Sequence, residues 1–100
     1  MRRANVVFHP AAAQEYEAAC DWYGKISGGL LSAFEREVDR AVRLIAAAPT
    51  RWPRYGHRHR KFFLRRFPYL IFYLKKRSRI WIVAVAHGRR RPDFWRLRLV

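Results

Sequence analysis

Two apolar runs near the end of the chain constrain the fold more than anything else in the sequence. Residues 69–75 (YLIFYLK) and 80–87 (IWIVAVAH) are rich in aromatic and β-branched side chains, and Lys76-Arg77-Ser78-Arg79 turns the chain between them. A strand with one wet face alternates apolar and polar residues. These runs are nearly continuous instead, so they predict a hairpin of central strands.

The remaining elements arrange themselves around that hairpin. Residues 5–8 (NVVF) read as a short strand closed by His9-Pro10, and Pro10 suits the first turn of a helix. A helix is predicted from residue 11 to about 25, where Tyr16, Ala19 or Cys20, and Tyr23 recur at three- and four-residue spacing; Glu15 and Glu17 lie in its favourable first half. Ser27-Gly28-Gly29 breaks the period and predicts a short turn. A second helix spans about 30–47, with an apolar stripe of Leu30, Leu31, Phe34, Val38, Ala41, Val42 and Ile45, and Pro49 ends it. Residues 49–60 (PTRWPRYGHRHR) read as a loop, in which Trp52-Pro53 and Tyr55 pin the chain to the helices. A strand at 61–66 precedes Pro68, and residues 93–99 form a short helical tail. The fold class is α+β: a helical hairpin packed on a mainly antiparallel sheet, in the order β-α-α-β-β-β, as one domain over residues 1–100. The pairing of the first strand is not legible. The open face of the sheet is expected to carry much of the C-terminal charge.

That charge is lopsided. The formal net charge is +15. Residues 1–50 hold six basic and six acidic side chains, whereas residues 51–100 hold sixteen basic ones and a single carboxylate, Asp93. Such a segment cannot neutralise itself, and it calls for a polyanion or an acidic protein as partner. Cys20 is the only cysteine, which excludes an internal disulfide and suits a reducing compartment. No apolar run approaches the roughly 20 residues of a membrane span, and the N-terminus lacks the apolar core of a signal peptide, so the expected location is cytoplasmic and no membrane partner is expected. His57-x-His59 has no carboxylate or cysteine nearby to complete a metal site, so no metal is assigned.

The order of elements coincides with specific strings: FHPAAAQEYEAACDWY, SAFEREVDRAVRLIAAAP, PTRWP, LRRFPYLIFYL and VAVAHGRRRPDFWRLRL. Taken together they resemble the RelE/ParE toxins of bacterial type II toxin–antitoxin systems over nearly the whole length. The resemblance implies a cognate antitoxin that wraps the toxin, operator DNA contacted only through that antitoxin, and no cofactor. It leaves two mechanisms open, because RelE-like toxins cleave messenger RNA on the ribosome and ParE-like toxins inhibit DNA gyrase. Whether the chain is an enzyme depends on which applies.

A metal-independent ribonuclease needs a base for the ribose 2′-hydroxyl, cations for the phosphorane and an acid for the leaving oxygen. The resemblance places such groups early in the strand beginning at Tyr69 and just past the last strand, so the candidates are Arg65, Tyr69, His87, Arg89 and Arg90. The set is incomplete, since Tyr69 stands where a cation is expected. Inhibition of gyrase asks only for a basic, aromatic-bearing surface, and the strings RRFPY and HGRR sit closer to the ParE side. Target binding is therefore expected at Arg65, Arg66, Arg89, Arg90 and Arg91. Arg65 and Arg66 should point to opposite faces of their strand, and His87 should share a face with Val83 and Val85. The plainer reading of His87 is a structural histidine bonded near the turn. Antitoxin binding is expected at Tyr16, Trp22, Tyr23 and Arg89, the first three because an aromatic-rich helix leaves some rings for a groove. A third reading from another class is a non-toxic nucleic-acid-binding domain.

Overall fold

The computed structural model describes residues 5–89 and 93–100. Its elements are β1 (Val6–Phe8), α1 (Pro10–Ile26), α2 (Gly28–Ala47), β2 (Arg54–Tyr55), β3 (His59–Phe63), β4 (Tyr69–Lys76) and β5 (Arg79–His87). The sheet runs β1-β5-β4-β3-β2, with β1 parallel to β5 and every other pair antiparallel. The α+β order expected from the sequence is therefore present, with one small strand added from the loop. Among the described residues no helix is long and apolar enough to cross a membrane.

The helices start and stop on local chemistry. His9 caps α1, its Nδ1 accepting from the Ala11 N–H at 3.0 Å, and Pro10 fills the first turn, where a missing N–H costs nothing. Ser27 serves two helices at once. Its N–H donates back to the Tyr23 carbonyl, and its Oγ accepts from the Leu30 N–H at 3.0 Å. The expected three-residue turn shrinks to this one residue, because a serine cap lets Gly28 and Gly29 enter the first turn of α2. Ala33, Phe34, Val38, Ala41, Val42 and Ile45 of α2 are buried against the sheet, as their period demands.

β4 and β5 are apolar on both faces, and both faces are covered. Ile71, Tyr73, Ile80, Ile82 and Val85 meet the helices. Phe72, Leu74, Val83, Ala84 and Ala86 form a second cluster on the opposite face, under the C-terminal segment. Trp95 closes it: only 1% exposed, its ring stacks on Phe72 at 4.5 Å and meets the His59 ring at 4.6 Å. This overturns the expectation that the second face is open and carries much of the C-terminal charge. It also moves Tyr55, whose ring packs on Phe72 at 5.2 Å, away from the helices; of the two expected pins it is Trp52 that meets α2, by Nε1–H to the Leu44 carbonyl.

Three further expectations are corrected. β3 ends at Phe63, so Arg65 and Arg66 are not on opposite faces of a strand; both are exposed in the β3–β4 connection, which the Leu64 N–H closes onto the Tyr69 carbonyl. A bulge sets Val83 beside Ala84, since Phe72 pairs with Ala84 and Tyr73 with Ile82. Val83 therefore lies on the face opposite Val85. The tail is not helical: Asp93 has a φ of 66°, and three-residue back-bonds from Arg96 to Asp93 and from Arg98 to Trp95 make it a string of turns. Turns let Trp95 point at the sheet while Leu97 and Leu99 face outward.

β1 pairs with β5 only through Ile82. Past that point the edge of β5 is completed by side chains. The Val85 N–H donates to Glu15 Oε1 at 3.0 Å, and Arg98 donates to the Val83 carbonyl at 2.8 Å. Arg98 also grips Glu15 with both terminal nitrogens, at 3.0 and 2.7 Å, in a pair only 17% and 15% exposed. Removing one member of a pair so little exposed strands the other, a loss of about 3–5 kcal/mol. Arg98→Ala is expected to lower the urea midpoint accordingly. Glu15→Ala combined with Arg98→Ala should cost clearly less than the two single losses added, and an additive double variant would remove the pair from this role.

Candidate functional site

The register of the central hairpin assembles the candidate residues at one end of the sheet. Tyr69 pairs with His87, and the Gly88 N–H donates to the Pro68 carbonyl at 2.7 Å. The connection bearing Arg65 and Arg66 and the turn bearing Arg89 therefore emerge at the same end. All three arginines are exposed, and none forms a salt bridge among the described residues. Arg90 and Arg91 lie outside the described residues. Arg65 is anchored through its main chain, its N–H donating to Glu37 Oε1 at 3.2 Å.

Tyr69 belongs to the packing of this end. Its ring meets Phe34 at 5.5 Å, Tyr23 at 6.3 Å and His87 at 5.3 Å. Burial, together with the neighbouring Tyr23, raises the pKa of its phenol above the ordinary 10.0. A phenol held protonated in this way is not a base at neutral pH. His87 Nδ1 accepts the Arg89 N–H at 3.0 Å, which ties the ring to the turn. Arg65, Tyr69, His87 and Arg89 thus share one end of the sheet, with His87 tied to the turn and Tyr69 to the core.

Beside this end a groove of about 310 Å³ runs between α1 and β5, lined by Ala18, Ala19, Trp22, Tyr69, Val85 and His87, with Glu15 at its side. Trp22 is 61% exposed on its rim. Tyr16 and Tyr23 are placed differently. Both are half-buried against Phe34, Tyr16 stacked at 5.9 Å and Tyr23 at 5.0 Å, and Tyr16 faces a separate hollow between the two helices. His59, of the His57-x-His59 pair, is packed on Trp95, and its pKa is lowered by burial and by Arg58 and Arg96.

Sequence reasoning missed the Glu15–Arg98 pair, because its members are 83 positions apart and each also reads as an ordinary surface charge. It missed Lys61 as well, whose Nζ lies 5.3 Å from the Tyr55 ring and 5.5 Å from that of Phe63. Alternation alone would have placed Lys61 opposite Phe62.

The comparisons with known proteins bear on this arrangement. The family model described as the ParE toxin of the type II toxin–antitoxin system parDE matches residues 6–92. The chain belongs to the ParE toxin family. Among solved structures, a chain of the chromosomal ParDE toxin–antitoxin system from P. aeruginosa is similar at 19% identity, over 83% of this chain and 94% of that one, with a TM-score of 0.71. At that identity the likeness is one of fold. A search of curated protein sequences finds no match. As a ParE-family member the chain is the toxin component of a type II system, with a cognate antitoxin as its partner.

All five tyrosines of this ParE-family toxin are shifted the same way. Tyr16, Tyr23, Tyr69 and Tyr73 are raised chiefly by burial, Tyr73 to about 12, and Tyr55 by its hydrogen bond to Asp93. A pKa higher in the folded than in the unfolded chain gives stability that is whole below about pH 10 and is lost as pH rises further. Phenolate absorbance is therefore expected to appear together with unfolding above about pH 10. A normal tyrosine titration in a chain that stays folded would contradict this packing.

Proposed function

We propose that this toxin acts by binding, with DNA gyrase as its target, and that its cognate antitoxin neutralises it by occupying the α1–β5 groove and the cationic strand end together. The observation that carries the reading is the character of that end. It offers exposed cations at Arg65, Arg66 and Arg89, beside a tyrosine held protonated and a histidine committed to the turn. Cations without a poised base suit recognition of an anionic surface better than cleavage of a phosphodiester. The ParE family assignment supports the same choice. Arg90 and Arg91, which follow directly in sequence, extend the cationic string.

For the antitoxin, Trp22 is the natural anchor. A large exposed ring at the rim of an apolar groove is the kind of residue that dominates a protein interface. Arg89 would meet its acidic side chains. Tyr16 and Tyr23 pack on Phe34 and hold α1 in place, so their part in antitoxin binding is indirect.

Purified toxin tests the target. Inhibition of gyrase supercoiling, or stabilised gyrase–DNA cleavage, is the expected result. Messenger RNA cut in a translating extract, with gyrase unaffected, would replace this reading with the ribonuclease one. Replacing Arg89, Arg90 and Arg91 together by alanine is expected to abolish or strongly reduce growth inhibition, and undiminished killing by that variant would remove them from the target surface. Trp22→Ala should weaken antitoxin binding by roughly 30-fold or more, as measured by calorimetry, while leaving gyrase inhibition in place.

A further inference from the structure

The strand end accounts for only part of the positive charge. The opposite end of the same hairpin, about 25 Å away along β4, carries Lys75, Lys76, Arg77 and Arg79 within five residues, all exposed. Two local rules of folding are broken there. Lys76 and Arg79 pair directly across the strands, and like charges in that position repel. Arg77 turns the hairpin with a φ of 59°, a conformation that glycine or asparagine adopts at less cost. A sequence selected for stability alone has simpler residues for all three positions. Violations gathered at one exposed spot mark a site where something else is bound.

The surroundings indicate what that is. Lys76, Arg77, Ser78 and Arg79 line a hollow of about 430 Å³, and its wall is the partly exposed indole of Trp81, with Val100 at the far side. Lys76 already donates one hydrogen bond to a main-chain oxygen of Val100, which leaves two of its three donors. Clustered cations answer phosphates, and a flat indole beside them answers a base. We propose that the β4–β5 tip is a second binding surface, for single-stranded nucleic acid, holding phosphates on Lys76, Arg77 and Arg79 and stacking a base on Trp81. An acidic peptide would satisfy the cations and leave the indole unused. A duplex keeps its bases stacked inside and presents no free ring to Trp81. The surface lies at the other end of the sheet from the cationic end assigned above to the toxin's target, and it does not depend on gyrase being that target.

Fluorescence anisotropy of a labelled oligothymidylate, titrated with the purified toxin across a salt series, tests the proposal. Trp81→Leu is expected to weaken binding about tenfold with little change in salt dependence. Lys76→Gln with Arg79→Gln should reduce the slope of log K against log salt by about 1.4. That double variant removes a repulsion and one exposed hydrogen bond, to Val100, without touching the core, so it remains informative if Trp81→Leu fails to fold. Arg65→Gln, Arg66→Gln and Arg89→Gln together should lower overall affinity, and adding Trp81→Leu to that background should still weaken binding about tenfold. The proposal is overturned if the slope is unchanged in the double variant, if folded Trp81→Leu binds as tightly as the parent, if the matching duplex binds as well as the single strand, or if polyglutamate competes equally whether or not Trp81 is present. Loss of oligothymidylate binding with gyrase inhibition intact would confirm that the two surfaces are separate.

Discussion

Two adjacent strands with apolar side chains on both faces cannot leave either face in water, and the rest of the molecule is arranged to prevent it. The helical hairpin covers one side of β4 and β5 along a regular stripe from Phe34 to Ile45. No element of comparable size among the described residues is left for the other side. Trp95 and Phe94, with Tyr55 from β2, close it instead, and Trp95 is the largest wholly buried side chain among the described residues. In a domain this small such a cover is a large share of the hydrophobic stabilisation.

The same constraint decides where charge is allowed. The middle of the hairpin is apolar on both faces, so its cations collect at the two ends: Arg65, Arg66 and Arg89 by the Tyr69–His87 pair, and Lys75, Lys76, Arg77 and Arg79 at the turn. Six of the seven carboxylates lie in α1 and α2. The helical layer and the two ends of the hairpin therefore differ sharply in electrostatic character over a short distance. The groove beside His87 sets an apolar floor next to the strand end that carries Arg89, which is the combination a wrapping antitoxin segment can use.

The helices and the central hairpin are legible in the sequence because each follows from a local period, either the α2 stripe or the unbroken runs of β4 and β5. The sequence is silent wherever the decision is non-local. Nothing in residues 5–8 says that β1 lies parallel to β5. Nothing near Val83 signals a bulge, which is imposed by fitting β5 to β4 and changes which face that side chain takes. The tail has the composition of a helix, yet burying Trp95 and reaching Glu15 with Arg98 requires turns. For the site, the identity of the cationic strings is readable, but their sorting to two ends of one hairpin needs the register. The roles of Tyr69 and His87 need their packing partners.

The ion pair between Glu15 and Arg98 has a consequence for how the protein comes into being. A chain made from its N-terminus forms α1 and α2 early, through neighbours close in sequence. The upper edge of β5 stays unfinished until residue 98 has been made, and β1 waits almost as long for the strand it lies against. The closing step of folding therefore waits for residues 80–98, whose slow, long-range contacts complete the sheet edge. A nascent chain interrupted before residue 98 would have its two helices but would still lack the Glu15–Arg98 clasp that completes the edge of β5.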